Sequence, residues 1–215
     1  MIALPNYADI NGRPMKKLQI QQYLRKLQLN DFEPAVNLAT LTKLQDAHLK
    51  YIPYENFDSL NGKITSLKRQ DMFNKVIMHN RGGICFELNG LYNWLLESLG
   101  FEVTSYAARF IDKMETYQLR RHRVMCVALG EKRYLTDVGV NSESPRVPLE
   151  IVEGLIQSDG ISQYKFTRSE FWGWLLWQKE RGKIWKRLFG FTEEPQIDKD
   201  FITASFWCDA HPDSP

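Results

Sequence analysis

Arg81-Gly82-Gly83-Ile84-Cys85-Phe86-Glu87-Leu88-Asn89 decides how this chain is read, because it sets a cysteine at the opening of a helix. Past Asn89, the apolar residues Leu91, Tyr92, Leu95, Leu96 and Leu99 recur at helical spacing and stop at Gly100. That pattern predicts a helix over residues 85–99. The Gly82-Gly83 pair does not continue a helix backward, so Cys85 falls in the first turn. Unpaired N–H groups and the positive end of the helix dipole favour a thiolate there. A small buried core cysteine is the competing reading, and taken alone it is the commoner one.

The residues that could activate such a thiol lie downstream. His122 opens the β-prone run Val124-Met125-Cys126-Val127-Ala128-Leu129, and after Gly130-Glu131 a second run follows from Lys132 to Gly139. A Gly-X pair between two such runs predicts a two-residue hairpin. In that register Leu129 faces Lys132, Val124 faces Asp137 and His122 faces Gly139. His122 and Val124 share a face, so His122 and Asp137 become diagonal cross-strand neighbours about 7–8 Å apart at the backbone. A one-residue slip would separate them. Cys85, His122 and Asp137 thus form a cysteine-protease-like nucleophile, base and orienting acid in chain order.

Arg-Gly-Gly-x-Cys-x-Glu-x-Asn, a later His-Arg-Val and an Asp-Val-Gly together resemble the arylamine N-acetyltransferases. The resemblance extends to the segment from His48 to Asp58, to residues 101–109 and to residues 188–201, and covers roughly residues 16–215. It implies ping-pong transfer of acetyl from acetyl-CoA, through a Cys85 thioester, to an arylamine, arylhydrazine or N-hydroxyarylamine. It also implies that Gly139, Asn141 and Ser214 approach CoA, and that Tyr54 and Val140 line the acceptor pocket. Arg81, Glu55 and Glu87 take supporting roles, with Glu55 the ion-pair partner of Arg81.

Three departures stand out. The family's Asp-x-Gly-Phe-Gly is Asp137-Val138-Gly139-Val140-Asn141 here, which implies a differently shaped acceptor site. Its Thr-Ser-Thr falls at Cys208-Asp209-Ala210, which sets a negative charge where a phosphate is expected. The chain also stops where relatives continue into strands and a helix that complete a third domain. A weakly active or inactive homologue is therefore the alternative to a working transferase, with self-association through uncovered apolar surface. A cysteine hydrolase or transglutaminase-like enzyme shares the residue order, but the motif from Arg81 to Asn89 argues against it.

The fold class expected is α+β: a helical bundle carrying Cys85, then an antiparallel β-barrel-like domain, then a truncated α/β lid. The boundaries are residues 1–14 for a disordered extension, 15–99 helical, 100–190 β and 191–215 the start of the third domain. Strands are expected at 101–109, 122–129, 132–138 and 161–168. The tryptophans between Phe171 and Phe189 are assigned to packing rather than to a stacking platform.

Composition narrows the function classes. The chain has 215 residues, with 28 Lys+Arg against 26 Asp+Glu for a net charge of +2. It has no basic block, so nothing points to nucleic acid. No apolar stretch is long enough to span a bilayer, and the first residues lack a signal-peptide pattern. Three cysteines are too few for a disulfide framework, which suits a cytoplasmic location. His48, His79, His122 and His211 do not group with cysteines or acids at metal-ligand spacing, so no metal is expected.

Overall fold

The computed structural model describes residues 12–111, 118–140 and 143–214. Helices come first: α1 (Lys17–Lys26), α2 (Leu38–Tyr51), α3 (Phe57–Leu60), α4 (Arg69–Phe73), which runs into a π-turn at Asn74–Met78, and α5 (Cys85–Ser98). The strands follow: β1 (Glu102–Phe110), β2 (His122–Leu129), β3 (Lys132–Thr136), β4 (Leu149–Glu150), β5 (Gln157–Ser158), β6 (Ser162–Ser169), β7 (Gly173–Glu180) and β8 (Lys186–Gln196). A 3₁₀ turn at Asp198–Phe201 leads into α6 (Ile202–Ala210).

The strands form one antiparallel sheet in the order β4-β3-β2-β1-β8-β7-β6-β5. Gln157 of β5 donates to the Glu150 carbonyl (2.9 Å) and accepts from the Glu150 N–H (2.7 Å), so its side chain links the two outermost strands. The sheet is thereby nearly closed and barrel-like, as the expected fold class requires.

Two cores flank β2, and alternation along that strand separates them. Met125 and Val127 face the helices, packing with Tyr23, Leu41, Leu44, Leu91, Tyr92 and Leu95. Val124 and Cys126 face the other way, among Tyr106, Leu135, Phe166, Phe189 and Phe191. Along α1 and just past its end, apolar residues are not all buried. Tyr23, Leu24 and Leu27 are buried, but Leu18 is exposed.

The tryptophan-rich stretch folds as the β7–β8 hairpin. Trp174 is buried in the sheet's core, and Trp177 donates to Thr167 Oγ1 at 2.9 Å. The sheet also runs past the boundary drawn at residue 190: β8 continues to Gln196 because Pro195 and Gln196 pair with Tyr106 and Ser105 of β1 beyond a register shift. The chain then folds back onto the helices, with Phe201 5.9 Å from Phe86 and beneath the Arg123 guanidinium at 4.7 Å.

Candidate active site

Cys85 is the first residue of α5, as the glycine pair predicts. Its helix starts where it does because of three constraints. A Cβ on Gly82 would lie 2.0 Å from the Pro53 carbonyl oxygen, so only glycine passes that point. The chain is then tied down by Glu55 N–H donating to the Gly83 carbonyl at 3.0 Å. Glu87, in the first turn, accepts the Ile84 N–H at 3.0 Å and so caps the helix start from one side.

The hairpin register is the expected one, with Leu129 opposite Lys132 and Met125 opposite Thr136. It brings His122 and Asp137 together. His122 Nε2 lies 2.7 Å from Asp137 Oδ2, and both side chains are fully buried. The carboxylate also accepts from Asn89 Nδ2 and from the Gly139 N–H, each at 2.8 Å. Because a carboxylate only accepts, Nε2 carries the proton and Nδ1 is left as the free acceptor. Nδ1 is buried without a hydrogen-bond partner. The ring is held by Phe110 (5.1 Å) and Phe189 (5.4 Å).

Cys85 Sγ lies 3.8 Å from the carbonyl oxygen of Arg121, the residue before His122. Burial pushes the Cys85 thiol up, with Cys208 and Asp137 adding to the effect; backbone groups of Phe86 and Arg123 pull the other way. The helix start therefore does not by itself produce the thiolate that the sequence suggested. Desolvation outweighs it, and ionisation needs a proton acceptor inside the site.

Cys85 opens onto a cleft of about 230 Å³ that Tyr54, Phe110, Arg121, Gly139, Cys208 and Ser214 also line. The structure thus brings together Cys85, Tyr54, Gly139 and Ser214 at one opening, while His122 and Asp137 are buried and are not among the residues that line it. Gly139 is pressed against the backbone of Cys85: a Cβ there would sit 2.8 Å from Cys85 Cα. Ser214 Oγ donates to the Cys208 carbonyl at 2.7 Å. Val140 is not in this cleft. It is buried in the core of the sheet, where its neighbours include Leu135 and Leu149, because the chain after Gly139 turns inward and Val140 N–H donates to Ser144 Oγ (2.8 Å). Asn141 lies outside the described residues.

The supporting residues form one ion network. Arg81 pairs with Glu55 (2.8 Å) and Asp58 (3.3 Å), as expected for the first of these. Glu87 pairs instead with Lys75 at 2.8 Å, which also reaches Asp58 at 3.0 Å. Asp209 has both oxygens occupied: Oδ1 accepts from Ser59 Oγ (2.5 Å) and Thr65 Oγ1 (3.0 Å), and Oδ2 from Thr65 N–H (2.7 Å). The carboxylate ties α6 to α3 and to the loop after it.

Sequence reasoning assigned no role to Lys75, Asn89 or Arg121. Asn89 could have been found: it follows Cys85 by one helical turn and so shares its face. It donates to Asp137 and to the Arg123 carbonyl (2.6 Å), and accepts the Val138 N–H at 2.9 Å. It is the clamp between the helix and the hairpin. Lys75 and Arg121 carry no local pattern that marks them. Among the described residues no group of three or more His, Cys, Asp or Glu side chains could hold a metal ion.

Comparison with known proteins gives a consistent picture. A family model described as N-acetyltransferase matches residues 37–215. An arylamine N-acetyltransferase of Mycolicibacterium smegmatis is 34% identical over 198 residues, covering 89% of this chain and 71% of the relative. One from Escherichia coli K12 is 32% identical over 181 residues, covering 84% and 64%. The solved arylamine N-acetyltransferase of Salmonella typhimurium superposes with a TM-score of 0.87 at 26% identity, covering 93% of this chain and 72% of that one. A Mycobacterium marinum arylamine N-acetyltransferase solved in complex with CoA superposes at 0.83 and 27% identity, covering 91% and 73%. The chain thus spans about two thirds of the length of such relatives.

Proposed function

The chain belongs to the arylamine N-acetyltransferase family, and on that premise we propose that it transfers acetyl from acetyl-CoA to an aromatic amine or hydrazine through a Cys85 thioester. The observation that supports this reading is the buried His122–Asp137 pair at 2.7 Å, which leaves His122 Nδ1 without a partner; His122 directly follows Arg121, whose carbonyl lies 3.8 Å from Cys85 Sγ.

His122 Nδ1 takes the proton from Cys85 as the thiolate attacks the thioester carbonyl carbon. Proton transfer within the site creates an imidazolium–thiolate pair with no net buried charge, which is how a thiol raised by burial becomes reactive. Asp137 favours the imidazolium and holds its tautomer, with Asn89 and Gly139 fixing the carboxylate. The tetrahedral oxyanion is met by backbone N–H groups in the first turn of α5. CoA leaves as its thiol, taking the proton from His122. The amine then attacks the acetyl-enzyme, its proton passes to Nδ1 and on to Cys85, and the amide departs.

Tyr54, Gly139 and Ser214 line the opening, so contact with the acyl donor or the acceptor is assigned to them. Arg81, Glu55 and Glu87 hold the helix start. No helix among the described residues is long and apolar enough to cross a membrane, and the three cysteines are free thiols, which suits a reducing cytoplasm.

Intact-mass measurement after acetyl-CoA alone tests this reading. The expected result is one acetyl group on Cys85, discharged by an added arylamine and absent in Cys85→Ser. No acetyl group on the wild-type chain would refute it.

A further inference from the structure

The β7–β8 hairpin carries a surface that the catalytic site does not use. Its turn and flanks read Lys179-Glu180-Arg181-Gly182-Lys183-Ile184-Trp185-Lys186-Arg187, five cations in nine residues around an Ile-Trp pair. Ile184 is 79% exposed. Ile161, in the turn before β6, is 61% exposed, and the pairing of Ser162 with Glu180 sets it at the same end of the sheet. Lys165, Trp177 and Arg187 stand in register across β6, β7 and β8. Lys165 Nζ lies 4.6 Å from the centre of the Trp185 ring and 5.8 Å from that of Trp177, and the Arg187 guanidinium lies 5.8 Å from Trp177. Trp177, Ile184 and Trp185 share a groove of about 350 Å³ that Lys183, Lys186 and Arg187 also line.

Only part of this charge is neutralised. Glu180 pairs with Lys183 (2.7 Å) and Lys186 (3.5 Å), and Glu143 pairs with Lys186. Lys165, Lys179, Arg181 and Arg187 have no carboxylate within ion-pair distance among the described residues. An exposed aliphatic tip ringed by unmatched cations fits a partner that is anionic at its surface and apolar beneath. An anionic bilayer has that order, with phosphates outermost and hydrocarbon below, and Trp side chains suit the boundary between them. Nucleic acid fits less well. Base stacking needs open ring faces, whereas Lys165 lies over both Trp177 and Trp185, and an aliphatic Ile184 offers a base nothing to stack on.

We propose that the β7–β8 hairpin docks peripherally on an anionic lipid bilayer, with Ile184 and Ile161 entering the headgroup layer and the surrounding Lys and Arg side chains meeting lipid phosphates. Such docking needs no membrane-spanning helix and does not depend on the acetyl-transfer reading.

Co-sedimentation with vesicles tests it. The chain should pellet with vesicles of phosphatidylglycerol and phosphatidylcholine in equal parts, stay in solution with phosphatidylcholine alone, and bind less as salt rises. Each cation near an anionic surface contributes about fivefold to the partition coefficient, so Lys179→Gln with Arg181→Gln should weaken binding by about 25-fold. Ile184→Ser, which changes no charge, should weaken it by about tenfold. Lys17→Gln with Lys68→Gln removes the same charge from two exposed lysines on the helical side and should bind as wild type does. Melting temperatures show that the variants fold. No pelleting of the wild type with the anionic vesicles would overturn the proposal. So would an equal loss in the Lys17 and Lys68 variant, or binding indifferent to Ile184→Ser. Pelleting without lipid would make the exposed isoleucines a contact between copies of the chain and overturn it too. Preference for a single-stranded oligonucleotide over the anionic vesicles, lost in the Lys179 and Arg181 variant, would assign the face to nucleic acid instead.

Discussion

Replacing Asn89 tests whether the helix and the hairpin are held in register by a side chain rather than by general packing. The amide is buried and makes three bonds: to Asp137 Oδ1, to the Arg123 carbonyl and from the Val138 N–H. A neutral buried hydrogen bond contributes about 1 kcal/mol net and one to a carboxylate about 1.5–3, with more lost where a partner is left unsatisfied. Asn89→Leu keeps most of the volume and removes all three bonds, leaving the Val138 N–H without its acceptor. The expected loss is about 3–4 kcal/mol, which for a chain of this size lowers the melting temperature by roughly 10 °C. Asp137 keeps the Gly139 N–H and His122 but can now rotate, so the imidazole is less firmly held. Acetylation of Cys85 should slow by about tenfold to a hundredfold, the range of a displaced general base. Differential scanning calorimetry and the time course of acetyl-enzyme formation measure the two effects. A melting temperature within about 2 °C of wild type, with the acetylation rate within about twofold, would show that Asn89 is not the clamp.

Other perturbations follow from the same geometry. Asp137→Asn should shift the pH profile of iodoacetamide alkylation at Cys85 upward and slow acetylation by about 10³–10⁴, the scale of the corresponding change in a serine triad; an unchanged profile would remove Asp137 from the mechanism. Gly139→Ala forces a methyl to within 2.8 Å of Cys85 Cα, so it should destabilise the fold by about 1–3 kcal/mol and depress acetyl-enzyme formation more than Val138→Ala does, as rate measurements on both would show. His48 is buried between Tyr23 and Tyr92 with neither ring nitrogen bonded, and burial lowers it to about 3. The unfolded chain takes up that proton first, from about pH 6.5 downward, so stability present above pH 6.5 is lost between there and about pH 3. The full interval amounts to roughly 5 kcal/mol, and urea titrations of His48→Phe should show a flatter acid limb than wild type.

The local features of the site were legible because each rests on a short-range rule. A glycine pair followed by helical periodicity placed Cys85 at a helix start, and a Gly-X pair between β-prone runs fixed the register that joins His122 to Asp137. What the sequence did not disclose depends on contacts across long stretches of chain. The β7–β8 hairpin was hidden because its tryptophans and lysines do not alternate cleanly. Lys165 and Arg187 cover Trp177 from the polar side, at 5.8 Å each, so both faces carry apolar mass. The pairing of Glu87 with Lys75 rests on a π-turn that shifts the phase of the preceding helix, which no periodicity argument detects.

The thiol shows why position along the chain is not enough to assign reactivity. A helix start offers partial positive charge worth about 0.3–1 kcal/mol near the surface, whereas burying a lone thiolate opposes ionisation by several times that. Cys85 has both, and burial wins. On the proposed mechanism, reactivity is a property of the closed set of Cys85, His122 and Asp137 and of the Asn89 side chain that spans helix and hairpin. Alkylation kinetics can distinguish this from a helix-start effect. If the helix start sufficed, His122→Gln would retain a lowered thiol pKa. If the pair is required, that variant should alkylate as slowly as a buried thiol, and adding external imidazole should restore part of the rate.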